Sequence, residues 1–193
     1  MTTPSTLNLL ALIVIVARTI YWYITEWQAH KLKPKTHNFT LTELIKRGIT
    51  TLISLLILAQ LLGLSIWSFP HNLTWQLIGF SAILVATLIG VVARHNIGAN
   101  WSHAAEYQIK KGHQLVDTGV YRYIRHPIYS SITLSILGTE LLVGSQLFFV
   151  FMVALPLVSY LQAKKEEALL LKTFGQSYKK YMHKTKMFVP YLV

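Results

Sequence analysis

Apolar stretches, each near the length that crosses a bilayer as a helix and each bounded by polar or basic residues, constrain this chain more than any other feature. Spanning the hydrocarbon takes about 20 helical residues. Five such segments are predicted, at about 7–27, 49–69, 75–93, 127–143 and 147–161. Phe69-Pro70-His71-Asn72 supplies a turn between the second and third. Gly144-Ser145-Gln146 separates the last two, which are short and read as a tight helical hairpin. Composition agrees: 53% of residues are apolar and 13% charged, against about 25% charged in an ordinary soluble domain. The expectation is an all-α, polytopic integral membrane protein forming a single domain over residues 1–193.

The basic residues predict an orientation. Lys31, Lys33, Lys35, Lys46 and Arg47 follow span one; Arg94, Lys110, Lys111, Arg122 and Arg125 follow span three; the remaining lysines follow span five. Arg18 alone falls outside these groups, and the alternate loops hold no Lys or Arg. By the positive-inside rule the N-terminus is outside and the C-terminus cytosolic. Residues 1–17 lack Lys and Arg, so the first span reads as an anchor rather than a cleaved signal peptide. The net charge of +11 thus sits at the ends of apolar runs and forms no continuous basic face for nucleic acid. With no cysteines and no histidine pair at ligand spacing, neither a thiolate nucleophile nor a metal site is expected.

Two ionisable residues fall within spans, Arg18 and Glu140. Such groups are functional candidates, yet Arg18 is near enough to the cytosolic end to snorkel and Glu140 lies one turn from Gly144 and the outer interface. Their depths differ, so they are not paired.

Polar chemistry concentrates in two cytosolic segments, 94–126 and 162–193. The first is too long for a plain connector. It carries Asn100-Trp101-Ser102, His103, Glu106, His113, Asp117 and Tyr121, and leads into Arg125-His126-Pro127, where proline suits the first turn of span four. On spacing alone, Arg125-His126 also reads as an ordinary charged flank to a span, and His113 as a loop histidine. The second segment begins Lys164-Lys165-Glu166-Glu167. Neighbouring glutamates on a helix point about 100° apart, so at least one is expected to be solvated.

Residues 112–129, Gly-His-Gln-Leu-Val-Asp-Thr-Gly-Val-Tyr-Arg-Tyr-Ile-Arg-His-Pro-Ile-Tyr, resemble the signature of the isoprenylcysteine carboxyl methyltransferases. Glu166-Glu167, Phe174-Gly175, Tyr178 and Tyr181 resemble that family's closing motif, and the likeness covers about 94–190. The wider superfamily includes phospholipid methyltransferases and membrane reductases.

The resemblance implies an S-adenosylmethionine-dependent membrane methyltransferase. The cofactor would be held by His113, Gln114, Leu115, Val116, Tyr121, His126, Pro127, Ile128, Tyr129 and Glu166. Arg125, His126, Glu166 and Glu167 are the candidate catalytic residues. The implied acceptor is a prenylated cysteine carboxylate entering from the bilayer, among membrane lipids. One departure concerns the acceptor: Gln162 stands where the family usually has an arginine, leaving Lys164 or Lys165 as possible substitutes and Gln162 with Lys165 as candidate substrate-binding residues. A carboxylate needs no base at neutral pH, whereas a phospholipid amine must first lose a proton, a task for His126 or Glu167. The alternative acceptor is therefore a phospholipid amine or small thiol. A reductase would need a nicotinamide-binding arrangement, and the sequence holds no glycine-rich phosphate loop. A carrier would concentrate polar groups at mid-membrane, not in cytosolic segments.

Overall fold

The computed structural model describes residues 4–31, 41–64, 67–98 and 114–191. His113, the Asn100-Trp101-Ser102 motif, Lys33, Lys35, Lys110 and Lys111 lie outside them. The described helices are α1 (Thr6–Lys31), α2 (Leu41–Leu61), α3 (Leu73–Ile97), α4 (Pro127–Val143), α5 (Leu147–Phe174) and α6 (Gln176–Lys184), with a 3-10 turn at Gly119–Arg122. No strand is found among the described residues. Helices α1, α2, α3 and α5 are long and apolar enough to cross a membrane, and α4, at 17 residues, is a shorter apolar helix. At 1.5 Å per residue α4 is about 26 Å long, just under the hydrocarbon thickness.

Two boundaries differ from expectation. The second span, predicted at 49–69, is helical from Leu41 to Leu61. It ends where Gly63 takes φ +99, the Leu64 amide donates to Ala59 O at 2.9 Å and the Gly63 amide to Gln60 O at 3.0 Å, a glycine-capped terminus. The apolar residues beyond it pair instead with the α4–α5 turn: the Phe69 amide donates to Gly144 O at 2.8 Å and the Gln146 amide to Trp67 O at 2.7 Å. Lys46 and Arg47 consequently belong to the first turns of α2 rather than to a loop. The fifth span, predicted to end at Leu161, continues as one helix to Phe174. The change from apolar to charged residues at Gln162 marks where the helix changes surroundings, not where it stops. Arg94 is likewise in the last turn of α3, and is buried.

The chain forms two compact units, Met1–Thr87 with Leu134–Met152, and Leu88–Thr133 with Val153–Val193. In the first, α1 packs on α2, and Ala11, Leu61, Ile83 and Leu142 make a buried core lined by Leu7, Ile15, Ile57 and Phe80. Helices α3 and α4 approach at paired glycines. A Cβ on Gly79 would lie 2.6 Å from the Gly138 carbonyl oxygen, so only glycine permits this spacing. Large side chains elsewhere on the unit stay exposed, Ile13 at 64% and Leu52 at 68% among them. Exposure of that extent suits a lipid-facing surface.

In the second unit, the buried apolar and aromatic core residues include Ala93, Tyr121, Ile124, Ala163, Tyr178, Tyr181 and Met187. Asn72, by contrast, caps α3 in the first unit, its Oδ1 accepting from the Trp75 amide at 3.3 Å.

Candidate functional site

The site in the second unit is assembled from the approach to α4, the C-terminal half of α5 and the segment after α6. The approach to α4 is fixed by Gly119 at φ +60, a conformation that favours glycine. A Cβ there would collide with Asn96, whose Oδ1 accepts from the Val120 amide at 3.2 Å. That bond anchors the 3-10 turn to the end of α3 and leaves Tyr121 buried. Tyr181 then donates from its hydroxyl to Tyr121 O at 2.7 Å, tying α6 to the same turn. Burial pushes the Tyr121, Tyr178 and Tyr181 phenols well above their ordinary value, so all three are neutral donors.

The closing segment runs beside the approach as a short parallel pairing of Ile124 with Lys186. The Arg125 amide donates to Lys186 O at 2.8 Å, the His126 amide to Met187 O at 3.0 Å and the Lys186 amide to Tyr123 O at 3.1 Å. Ser130 Oγ donates to Phe188 O at 2.7 Å. These bonds satisfy the amides of the two residues just before Pro127 and hold the closing segment against the start of α4.

On this frame the two glutamates face different partners, as their 100° separation requires. Glu167 is buried; Arg125 Nε donates to its Oε1 at 2.6 Å, and His126 Nε2 lies 3.3 Å from the same oxygen. Arg125 also donates to the carbonyls of Met182 and Thr185. Its guanidinium is thereby engaged within the protein and joins α5, α6 and the closing segment to the start of α4. Glu166 is 38% exposed at the side chain, accepts from the Tyr129 hydroxyl at 2.9 Å, and lies 3.8 Å from His126 Nδ1. The His126 and Tyr129 rings stack, with centroids 5.4 Å apart, and Phe188 lies 5.9 Å from the imidazole.

Of the residues the sequence singled out, the structure therefore brings together Arg125, His126, Tyr129, Glu166 and Glu167. Pro127 is buried at the first position of α4, Ile128 is half-buried beside it, and Tyr121 sits beneath the approach. Gln114 is exposed and Leu115 and Val116 half-buried at the start of the approach. Gln162, half-buried, is one turn before Glu166 on α5, whereas Lys165 is exposed and Lys164 lies 5.9 Å over the Tyr160 ring of its own helix. Neither lysine reaches the cluster among the described residues. Thr185, Met187 and Phe188 went unnoticed in the sequence. Their contribution is backbone carbonyls and one ring, which leave no mark in residue type.

The family model described as Phospholipid methyltransferase matches residues 75–177, more than half of the chain and all of the His126–Glu166–Glu167 cluster. The chain belongs to this family. Among curated proteins, the phospholipid methyltransferase family member described here is similar to the protein-S-isoprenylcysteine O-methyltransferase of Schizosaccharomyces pombe, 35% identical over 97 residues, 48% of this chain and 40% of that protein. The protein of the same name from Saccharomyces cerevisiae is 28% identical over 64% of this chain and 54% of its own length. That of Dictyostelium discoideum is 26% identical over 83% and 67%. The chain thus spans about half the length of the two yeast relatives. A solved structure of a eukaryotic intramembrane Ras methyltransferase, an isoprenylcysteine carboxyl methyltransferase, superposes with a TM-score of 0.62 at 19% identity, over 97% of this chain and 69% of that one. That likeness establishes the fold of this family member as a polytopic α-helical membrane protein.

Proposed function

We propose that this phospholipid methyltransferase family member is an S-adenosylmethionine-dependent methyltransferase, acting on the carboxylate of a prenylated cysteine or a similar lipophilic acid. The observation that carries the reading is the pairing of one buried with one part-exposed glutamate around His126. Glu167 is consumed by Arg125 and sets the frame; Glu166, backed by Tyr129, remains reachable. A reachable carboxylate beside a stacked His–Tyr pair fits a ligand with an ammonium or hydroxyl donor and a flat ring, as S-adenosylmethionine has. Bound there, the cofactor would supply a methyl group carried on a sulfonium.

This chain's residues would then work by placement. Glu166 accepts hydrogen bonds from the donors of the cofactor. The segment Gln114–Val116, with His113, immediately precedes in sequence the turn that leads into α4, and is the candidate for the remaining cofactor contacts. Tyr129 and His126 present ring faces, and a ring face attracts a sulfonium weakly. Alignment of donor and acceptor can contribute about 7–11 kcal/mol without any covalent intermediate or metal. His126, 3.3 Å from Glu167, is the residue placed to take a proton where the acceptor is an amine. Gln162 replaces a cation on the face of α5 that carries Glu166, and with Lys165 it stands as the candidate acceptor contact. The distribution of basic residues supports a site on the cytosolic side, with the N-terminus outside.

Methyl transfer from labelled S-adenosylmethionine to a farnesylcysteine analogue and to phosphatidylethanolamine, in mixed micelles, tests the reading. Labelling of the prenylcysteine analogue is expected; labelling of the amine lipid alone would move the activity to the alternative acceptor, and labelling of neither would overturn the enzymatic reading.

A further inference from the structure

A second polar feature belongs to the other compact unit and has no part in the chemistry above. Glu140, in α4, is fully buried, and its nearest polar neighbours are Gln60, whose Nε2 donates to Glu140 Oε2 at 3.1 Å, and the Ser145 side chain. No Lys or Arg side chain pairs with it among the described residues. Gln60 is itself 2% exposed, and its Oε1 has no hydrogen-bond partner among the described residues. Gln60 also lines a cavity of about 320 Å³, together with Ser5, Asn8, Ser68, His71 and Gln76. A water takes about 30 Å³ of liquid volume, so the space suits a small polar group rather than a single water.

A buried carboxyl within a membrane span, without a counter-charge, is costly and marks a functional site by default. Here the carboxyl orients the amide: with Nε2 given to Glu140, the Gln60 carbonyl oxygen is left as an acceptor in want of a donor. Among the described residues, none that lines the cavity is a Lys or Arg. The missing complement is a positively charged hydrogen-bond donor. We infer that this cavity binds a primary ammonium group, carried by a lipid headgroup or by a free small amine, through Gln60 backed by Glu140.

The test is the unfolding temperature of the full-length protein in detergent, with phosphatidylethanolamine, phosphatidylcholine or phosphatidylglycerol of matched chains added, and separately with free ethanolamine. A ligand that binds only the folded state raises this temperature in a saturable way. A saturable rise with phosphatidylethanolamine is expected, absent with phosphatidylcholine, whose quaternary nitrogen has no N–H, and with phosphatidylglycerol, which has no amine. The same rise with free ethanolamine also supports the site and identifies a soluble amine as sufficient. Gln60→Leu should abolish the response and the isosteric Glu140→Gln should weaken it, with helical content and monodispersity checking that each variant folds. An equal rise with all three lipids, no rise with any amine, or an undiminished response in folded Gln60→Leu would overturn the inference.

Discussion

Replacing Glu167 by alanine separates its role from that of Glu166 most sharply. The carboxylate is 3% exposed and its Arg125 partner 9% exposed, so neither charge has water to fall back on. Removing one partner of a buried pair costs about 3–5 kcal/mol. Arg125 keeps the Met182 and Thr185 carbonyls, which argues for the lower end, about 3 kcal/mol. For a chain of this size about 2–4 °C is lost per kcal/mol, so Glu167→Ala should unfold about 6–12 °C below the wild type. Glu166→Ala, at 38% exposure and with one hydrogen bond from Tyr129, should cost at most about 1 kcal/mol. Differential scanning fluorimetry in one detergent compares the two directly. A small loss in Glu167→Ala beside a large one in Glu166→Ala would refute the division between a frame glutamate and a ligand-facing one. Replacing both Arg125 and Glu167 by methionine should recover part of the stability that Glu167→Ala loses, since no charge is then left buried alone.

Gly119→Ala should destabilise by more than about 1 kcal/mol, because φ +60 and the Asn96 contact both oppose a Cβ, and the loss should appear as a lowered unfolding temperature. Gly79→Ala should cost about 1–3 kcal/mol by forcing α3 from α4, read from the same assay. Truncation after Lys184 removes the strand-like pairing with residues 124–126 and should abolish binding of S-adenosylhomocysteine even where helical content is kept. Raised phenol values in Tyr121, Tyr178 and Tyr181 mean that the folded state holds protons the unfolded state has released. Stability should therefore fall as pH rises above about 10, and absorbance near 295 nm should show these tyrosines ionising only on unfolding.

Helix α1, the start of α4 at Pro127 and the hairpin at Gly144-Ser145-Gln146 were legible in the sequence because apolar length and turn residues fix them locally. The end of α2 was not. Trp67 and Phe69 are as apolar as the span before them, and only their distant pairing with Gly144 and Gln146 takes them out of the helix. The same reason hid the closing segment of the site: Lys186 and Met187 act through carbonyls, whose partners are some 60 residues away in sequence. The motif around Arg125-His126 and Glu166-Glu167 named the right neighbours, but residue type alone could not say that Arg125 faces Glu167 rather than open space. Glu140 stood out as an ionisable residue in a span. Its partner did not, since nothing local to Gln60 distinguishes it, and the full burial of Glu140 was not legible either.

Calorimetric titration of S-adenosylhomocysteine into the detergent-solubilised full chain, wild type and Glu166→Ala, tests most directly whether the segments before α4 and along α5 share one cofactor site. Saturable binding to the wild type, lost in a Glu166→Ala protein of unchanged helical content, is the predicted result. Absence of binding to folded wild type, or unchanged affinity in Glu166→Ala, would contradict it.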